Sequence, residues 1–154
     1  MSNTIASPLN IFRTMDIISV SLVCGSSLFI GLMSGNIVEW IEPEEIKRTL
    51  QGHSDWINCL LECGEMLWSG SIDKTIIVWN ISTGESISKI QTTSSVICLV
   101  RWRETIISGG YKYPDGDPFL YVWRRYGEAI NNWKLEEEGE EGNILDKQFS
   151  LIPQ

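Results

Sequence analysis

The chain holds a single histidine, His53, and its four cysteines, at positions 24, 59, 63 and 98, form no C-x-x-C pair. A tetrahedral zinc site needs four such ligands at short, regular spacings, so no metal and no cofactor is expected. Basic residues are also scarce. Twelve Lys plus Arg stand against 20 Asp plus Glu, a formal charge of -8, which repels a phosphate backbone and argues against nucleic acid as a partner. A secretory signal is not evident either: only Arg13 precedes the first apolar stretch, and no small-residue cleavage pattern follows it. With the cysteines read as reduced thiols, the expected location is the cytoplasm, with the nucleus as the other compartment of that redox character.

Long apolar runs are nearly absent, with one exception. Ile17 to Val38 carries no charge and is long enough to cross a bilayer. It also holds Ser19, Ser21, Ser26, Ser27, Ser34, Asn36 and three glycines, and a Cys24-Gly25-Ser26-Ser27 turn signal divides it. The expectation is therefore strands, with no membrane partner.

What the 154 residues do contain is a repeat. A shift of 39 places Asp16 on Asp55, Ile18 on Ile57, Leu22 on Leu61, Cys24 on Cys63 and Gly25 on Gly64. It then places Leu28 on Leu67, Gly31 on Gly70, Ile37 on Ile76 and Trp40 on Trp79. The same shift carries Cys59, Leu60, Ser69 and Gly70 to Cys98, Leu99, Ser108 and Gly109, after which the register breaks. Trp79 meets Trp123 at an offset of 44, so the third copy has an enlarged loop at 111–118.

A period near 40 means a solenoid or a propeller, and the content of each unit separates them. The middle copy reads as four short strands: Ile57 to Leu61, Met66 to Ser71, Thr75 to Trp79 and Ser86 to Gln91, with turns between. The inner two are apolar on both faces, as in a small sheet sandwiched between neighbours. The fold class is therefore all-β, a partial β-propeller of about three four-stranded antiparallel blades, not closed by this chain alone. The expected organisation is a tail with an outer strand at 1–14, repeats at 15–51, 52–93 and 94–134, and an acidic tail at 135–154.

Gly52-His53-Ser54-Asp55, Leu67-Trp68-Ser69-Gly70-Ser71 and Asp73-Lys74-Thr75-Ile76-Ile77-Val78-Trp79-Asn80 together resemble a WD repeat. The resemblance extends from about residue 15 to 134 and is closest in the middle copy. It implies a buried network in which the Trp79 indole donates to Ser69, Ser69 to one His53 nitrogen, and the other His53 nitrogen to Asp73. Copy one offers Thr14 and Ser34 in place of His53 and Asp73, and copy three offers Thr92 and Asp117. Trp40, Trp79 and Trp123 would serve all three as packing anchors.

Ser69, His53 and Asp73 are also the residue types of a hydrolytic triad. A nucleophilic serine needs a sharp exposed elbow and an oxyanion hole, whereas Ser69 falls inside a strand. The trio is thus expected to be structural, the chain non-enzymatic, and hydrolysis the competing reading. The resemblance implies a protein-protein interaction module or scaffold; a piece of a larger WD-repeat protein with no independent function is the alternative. The binding candidates are Trp56, Tyr111, Lys112, Tyr113, Asp115 and Asp117, since the turns holding His53, Asp73 and 111–118 emerge on one face. A short peptide or protein segment is the expected ligand. Asp115 and Asp117 lack the further spaced ligands of a calcium loop. Three blades leave open edges that a second chain, terminal segments paired as a rudimentary fourth blade, or a longer parent would close; two chains would give six blades as a homodimer.

Overall fold

The computed structural model describes residues 16–41, 45–111, 118–125 and 133–135. Twelve strands lie in three antiparallel sheets, each a meander of four. The first blade contains β1 (Ile18–Cys24), β2 (Ser27–Leu32), β3 (Ile37–Ile41) and β4 (Glu45–Leu50). The second contains β5 (Ile57–Cys63), β6 (Met66–Ser71), β7 (Thr75–Asn80) and β8 (Ser86–Gln91). β9 (Ser95–Trp102), β10 (Thr105–Tyr111), β11 (Pro118–Arg125) and β12 (Trp133–Leu135) make the third. The uncharged stretch 17–38 is thus β1, β2 and the start of β3, and among the described residues no helix is long and apolar enough to cross a membrane.

Two apolar seams hold the blades face to face. Cys24, Phe29 and Ile37 of the first blade meet Leu60, Leu67, Ile77 and Trp79 of the second. On the other side of that blade, Cys63, Trp68, Ile76 and Val78 meet Val96, Ile106 and Trp123 of the third. Strands β6 and β7 lie between both seams, which is why every residue from Met66 to Ser71 and from Thr75 to Trp79 is buried. Their β-branched and aromatic residues suit a pleated surface packed on both sides.

The repeat also fixes a backbone detail. The pairing of the innermost strand with its neighbour shifts once in every blade: between Ile18 and Val20, between Ile57 and Cys59, and between Gly109 and Gly110. At the shift, Ser19 donates to the Ile57 carbonyl and Asn58 donates to the Val96 carbonyl at 2.9 Å, each reaching the next blade. Beside it sits a glycine that leaves room for the incoming strand. A Cβ on Gly31 would stand 2.8 Å from Ile57 Cγ2, and one on Gly70 would stand 2.5 Å from Val96 Cγ1.

Candidate functional site

The second blade builds its polar centre from four segments. Ser69 sits in β6 opposite Ile77 of β7, and Trp79 lies two residues further along that same face. His53 belongs to the connection from the first blade, and Asp73 to the β6–β7 turn, which Lys74 closes at φ 65. Gly52 precedes the histidine because its backbone passes the indole closely: a Cβ there would lie 2.8 Å from the far edge of the Trp79 ring.

Trp79 Nε1 donates to Ser69 Oγ at 2.8 Å, Ser69 Oγ is 2.8 Å from His53 Nε2, and His53 Nδ1 is 3.0 Å from Asp73 Oδ2. An ionised carboxylate only accepts, so Nδ1 carries the proton and Nε2 receives the one from Ser69. Thr75 completes the network and was not singled out by sequence. Its hydroxyl donates to Asp73 Oδ1 at 2.6 Å and lies 3.0 Å from His53 Nδ1. The amides of Ser54 and Thr75 also donate to Asp73, at 3.0 and 2.9 Å. Burial works to raise the Asp73 carboxyl, but these donors, His53 first among them, outweigh it and hold the group well below the usual carboxylate range.

The Ser-His-Asp distances alone would suit a nucleophile, so the surroundings decide. Ser69 has no exposed surface, and its oxygen already accepts the indole proton. A substrate carbonyl has no approach to it. The arrangement fastens β6 and β7 to the two turns above them.

The other blades depart from this in different ways. In the third, Trp123 Nε1 donates to Ser108 Oγ at 2.8 Å, so the indole half survives. Thr92, in the histidine's position, is buried with its hydroxyl 2.8 Å from the Lys74 carbonyl and 2.7 Å from that of Ser94. Asp117 lies outside the described residues. In the first blade, Trp40 is half-buried and turned away from the second, so it joins neither seam, unlike Trp79 and Trp123.

The first blade carries instead an ion cluster around a buried carboxylate that sequence reading missed. Glu39, 1% exposed, accepts from Ser27 Oγ at 2.7 Å, Lys47 Nζ at 2.9 Å and Arg48 Nε. The Arg48 guanidinium continues to the carbonyls of Ile81 and Ser82, clamping the first blade to a turn of the second. Burial acts to raise the Glu39 carboxyl, yet Lys47, Ser27 and Arg48 together lower it. The signal was present: an acid inside Ile37-Val38-Glu39-Trp40, where the second copy has Val78, with two cations on the following strand.

Of the binding candidates, Trp56 is 43% exposed at the entry to β5, and Tyr111 is 49% exposed at the end of β10. Lys112, Tyr113, Asp115 and Asp117 lie outside the described residues. Two of the binding candidates are thus described, aromatic side chains on adjacent blades.

No model of a known protein family matches the sequence. Protein FIZZY-RELATED 1 of Arabidopsis thaliana, a WD-repeat protein, is 33% identical over 108 residues, which cover 66% of this chain and 22% of that one. A chain of the solved Mitotic Checkpoint Complex superposes with a TM-score of 0.63 at 24% identity, over 73% of this chain and 35% of its own. This chain belongs to the WD-repeat family. A second Arabidopsis thaliana relative, Zinc finger CCCH domain-containing protein 62, is 34% identical over 73 residues, 43% of this WD-repeat chain and 17% of the relative. The chain thus spans less than a quarter of either curated relative. WD-repeat proteins act in general as protein-interaction modules and are in general non-catalytic, which fits a His53 network used for fastening.

Proposed function

We propose that this WD-repeat chain is a non-catalytic scaffold module that captures a short peptide or protein segment on the face carrying the His53, Asp73 and 111–118 turns. The observation that carries this reading is how the polar groups of that face are used. His53, Ser69, Asp73, Thr75 and Trp79 satisfy one another, so the large side chains that the described part of this face offers to solvent are aromatic, Trp56 and Tyr111, beside the exposed Ser54 and Lys74 of the same turns. Large, stiff, amphipathic rings on a rigid base supply contact area at low entropic cost, the usual composition of a binding hot spot. The presence of a structural neighbour within a Mitotic Checkpoint Complex supports a protein partner over a small molecule.

The test is selection of short peptides from a displayed library against the folded chain, followed by calorimetric titration. A selected peptide should lose at least about tenfold in affinity, roughly 1.4 kcal/mol, on the Trp56→Ala, Tyr111→Ala double variant, with the melting temperature unchanged. Equal binding to the double variant, or no enrichment from a folded sample, overturns the assignment.

A further inference from the structure

The two end blades keep seam-like faces where no described blade covers them. In the first, Phe29, Ile37 and Glu39 point toward the second blade, so the alternating residues point outward. Among them are Ile18, Leu28, Val38 and Trp40, in the positions of Ile57, Leu67, Ile77 and Trp79, which are buried in the first seam. In the third blade, Ile106, Tyr121 and Trp123 point inward, leaving Val100, Trp102, Ile107, Leu120 and Val122 outward. Those occupy the positions of Leu61, Cys63, Trp68, Ile76 and Val78, the half of the second seam supplied by the middle blade. Ile18, Val100, Trp102 and Leu120 are each more than 40% exposed. Large apolar surface of this kind marks a contact.

We propose that a second copy of this chain covers both faces, the outward face of the third blade on one chain packing against the outward face of the first blade on the other. Two such contacts close a ring of six blades, within the range that propellers use. Three observations select this occupant. The faces are opposite halves of one kind of seam, so they fit each other and not themselves. Gly109, paired with Cys98 and Leu120, repeats Gly31 and Gly70, the glycines that make room for Ile57 and Val96 of the next blade; the residue in the incoming position is Ile18. A glycine inside a strand is less favourable than alanine, so its use here matches a close approach.

The third observation is steric compensation between the halves. Inside the chain, Cys24 shares a seam with Leu60, and Cys63 shares the next with Leu99. Across the proposed contact those positions hold Trp102 and Ser21, a large side chain where a small one stood and a small one where a large one stood. Phe29 and Trp68 correspond to the smaller Ile107. The bulge position carries Ile97 in place of the donors Ser19 and Asn58, which makes this seam more apolar than the internal ones. Blades from a longer polypeptide would have no reason to match the volume changes at Trp102 and Ser21. The loop-face reading is independent of this association, since it concerns a different surface.

Sedimentation equilibrium of the full chain across the micromolar range should give a species of twice its 17.5 kDa mass. Leu28 and Ile107 occupy positions that share each internal seam, as Leu67 does with Phe29 and Ile106 with Trp68. Leu28→Glu alone and Ile107→Lys alone should each give monomers, with far-UV circular dichroism unchanged because both side chains lie on the outward faces. An equimolar mixture should return to dimer, since one contact is then native and the other opposes two unlike charges. The milder Leu28→Ala and Ile107→Ala should each raise the dissociation constant at least about tenfold without adding charge. As a second readout, alkylation of Cys98, exposed on the outward face of the third blade, should slow as wild-type concentration rises. A folded wild-type chain that stays monomeric overturns the proposal and points to cover by terminal segments or by blades of a longer chain. A dimer that survives Ile107→Lys overturns it in favour of a contact between two first blades.

Discussion

Replacing His53 with alanine removes the side chain that bridges Asp73 of the β6–β7 turn to Ser69 at the centre of the second blade. Its ring has lost contact with solvent entirely and sits between Ser69 at 2.8 Å and the Asp73 carboxylate at 3.0 Å. A hydrogen bond to a charged group contributes about 1.5–3 kcal/mol, and a neutral one about 1 kcal/mol. Asp73 keeps the two amides and the Thr75 hydroxyl, so it is not orphaned, and Ser69 keeps the indole and lies 3.2 Å from the Ile77 carbonyl. Those remaining partners limit the loss, while the space left by the ring adds to it. The expected cost is about 3 kcal/mol, a lowering of the melting temperature by roughly 10 °C at this size. Urea unfolding followed by tryptophan fluorescence, beside calorimetry, measures it. Coupling should appear too: the double variant with Ser69→Ala should lose less than the sum of the singles by at least about 0.5 kcal/mol, because both remove the same bond. A cost under about 1 kcal/mol, or strict additivity, would refute the role of the imidazole as a fastening.

Other perturbations separate the blades. Ser108→Ala deprives one donor, the Trp123 indole, whereas Ser69→Ala deprives Trp79 and His53 together, so urea titration should find Ser69→Ala costlier by about 1 kcal/mol. Arg48→Ala should cost about 2–4 kcal/mol in the same assay, since it leaves the buried Glu39 with Lys47 and Ser27 alone and frees two carbonyls of the neighbouring blade. Gly70→Ala should destabilise by about 1–3 kcal/mol, as its methyl would strike Val96 and Cys59. Stability should fall in acid. Asp73 and Glu39 both titrate lower in the folded chain than unfolded, so their contribution is complete above the ordinary carboxylate range near about 4 and fades as pH drops through the depressed folded values. Melting temperatures measured from neutral pH downward should show a shallower acid slope for Asp73→Asn than for wild type.

How much of this was legible beforehand differs by residue. The chain Trp79, Ser69, His53, Asp73 could be named from spacing and resemblance, because each of its groups stands at a fixed place in one repeat unit. Thr75 was passed over since a threonine opening a strand is ordinary; only the Asp73 side chain folded back over it makes it a donor. Glu39 stands out in its strand as an acid, but its role was hidden for another reason. Its partners Lys47 and Arg48 lie on the next strand, and the carbonyls of Ile81 and Ser82 lie on another blade.

The sequence by itself determined the strands, their grouping in fours and the position of each turn, because β-branched runs, turn residues and a period of 39 are local properties that every copy repeats. Which side of each strand meets a neighbour was decided by the tertiary structure alone. A blade buries both faces only against other blades, so the fate of a side chain such as Trp40, in a position where Trp79 is buried, depends on whether a neighbour stands beside it. No local pattern carries that information.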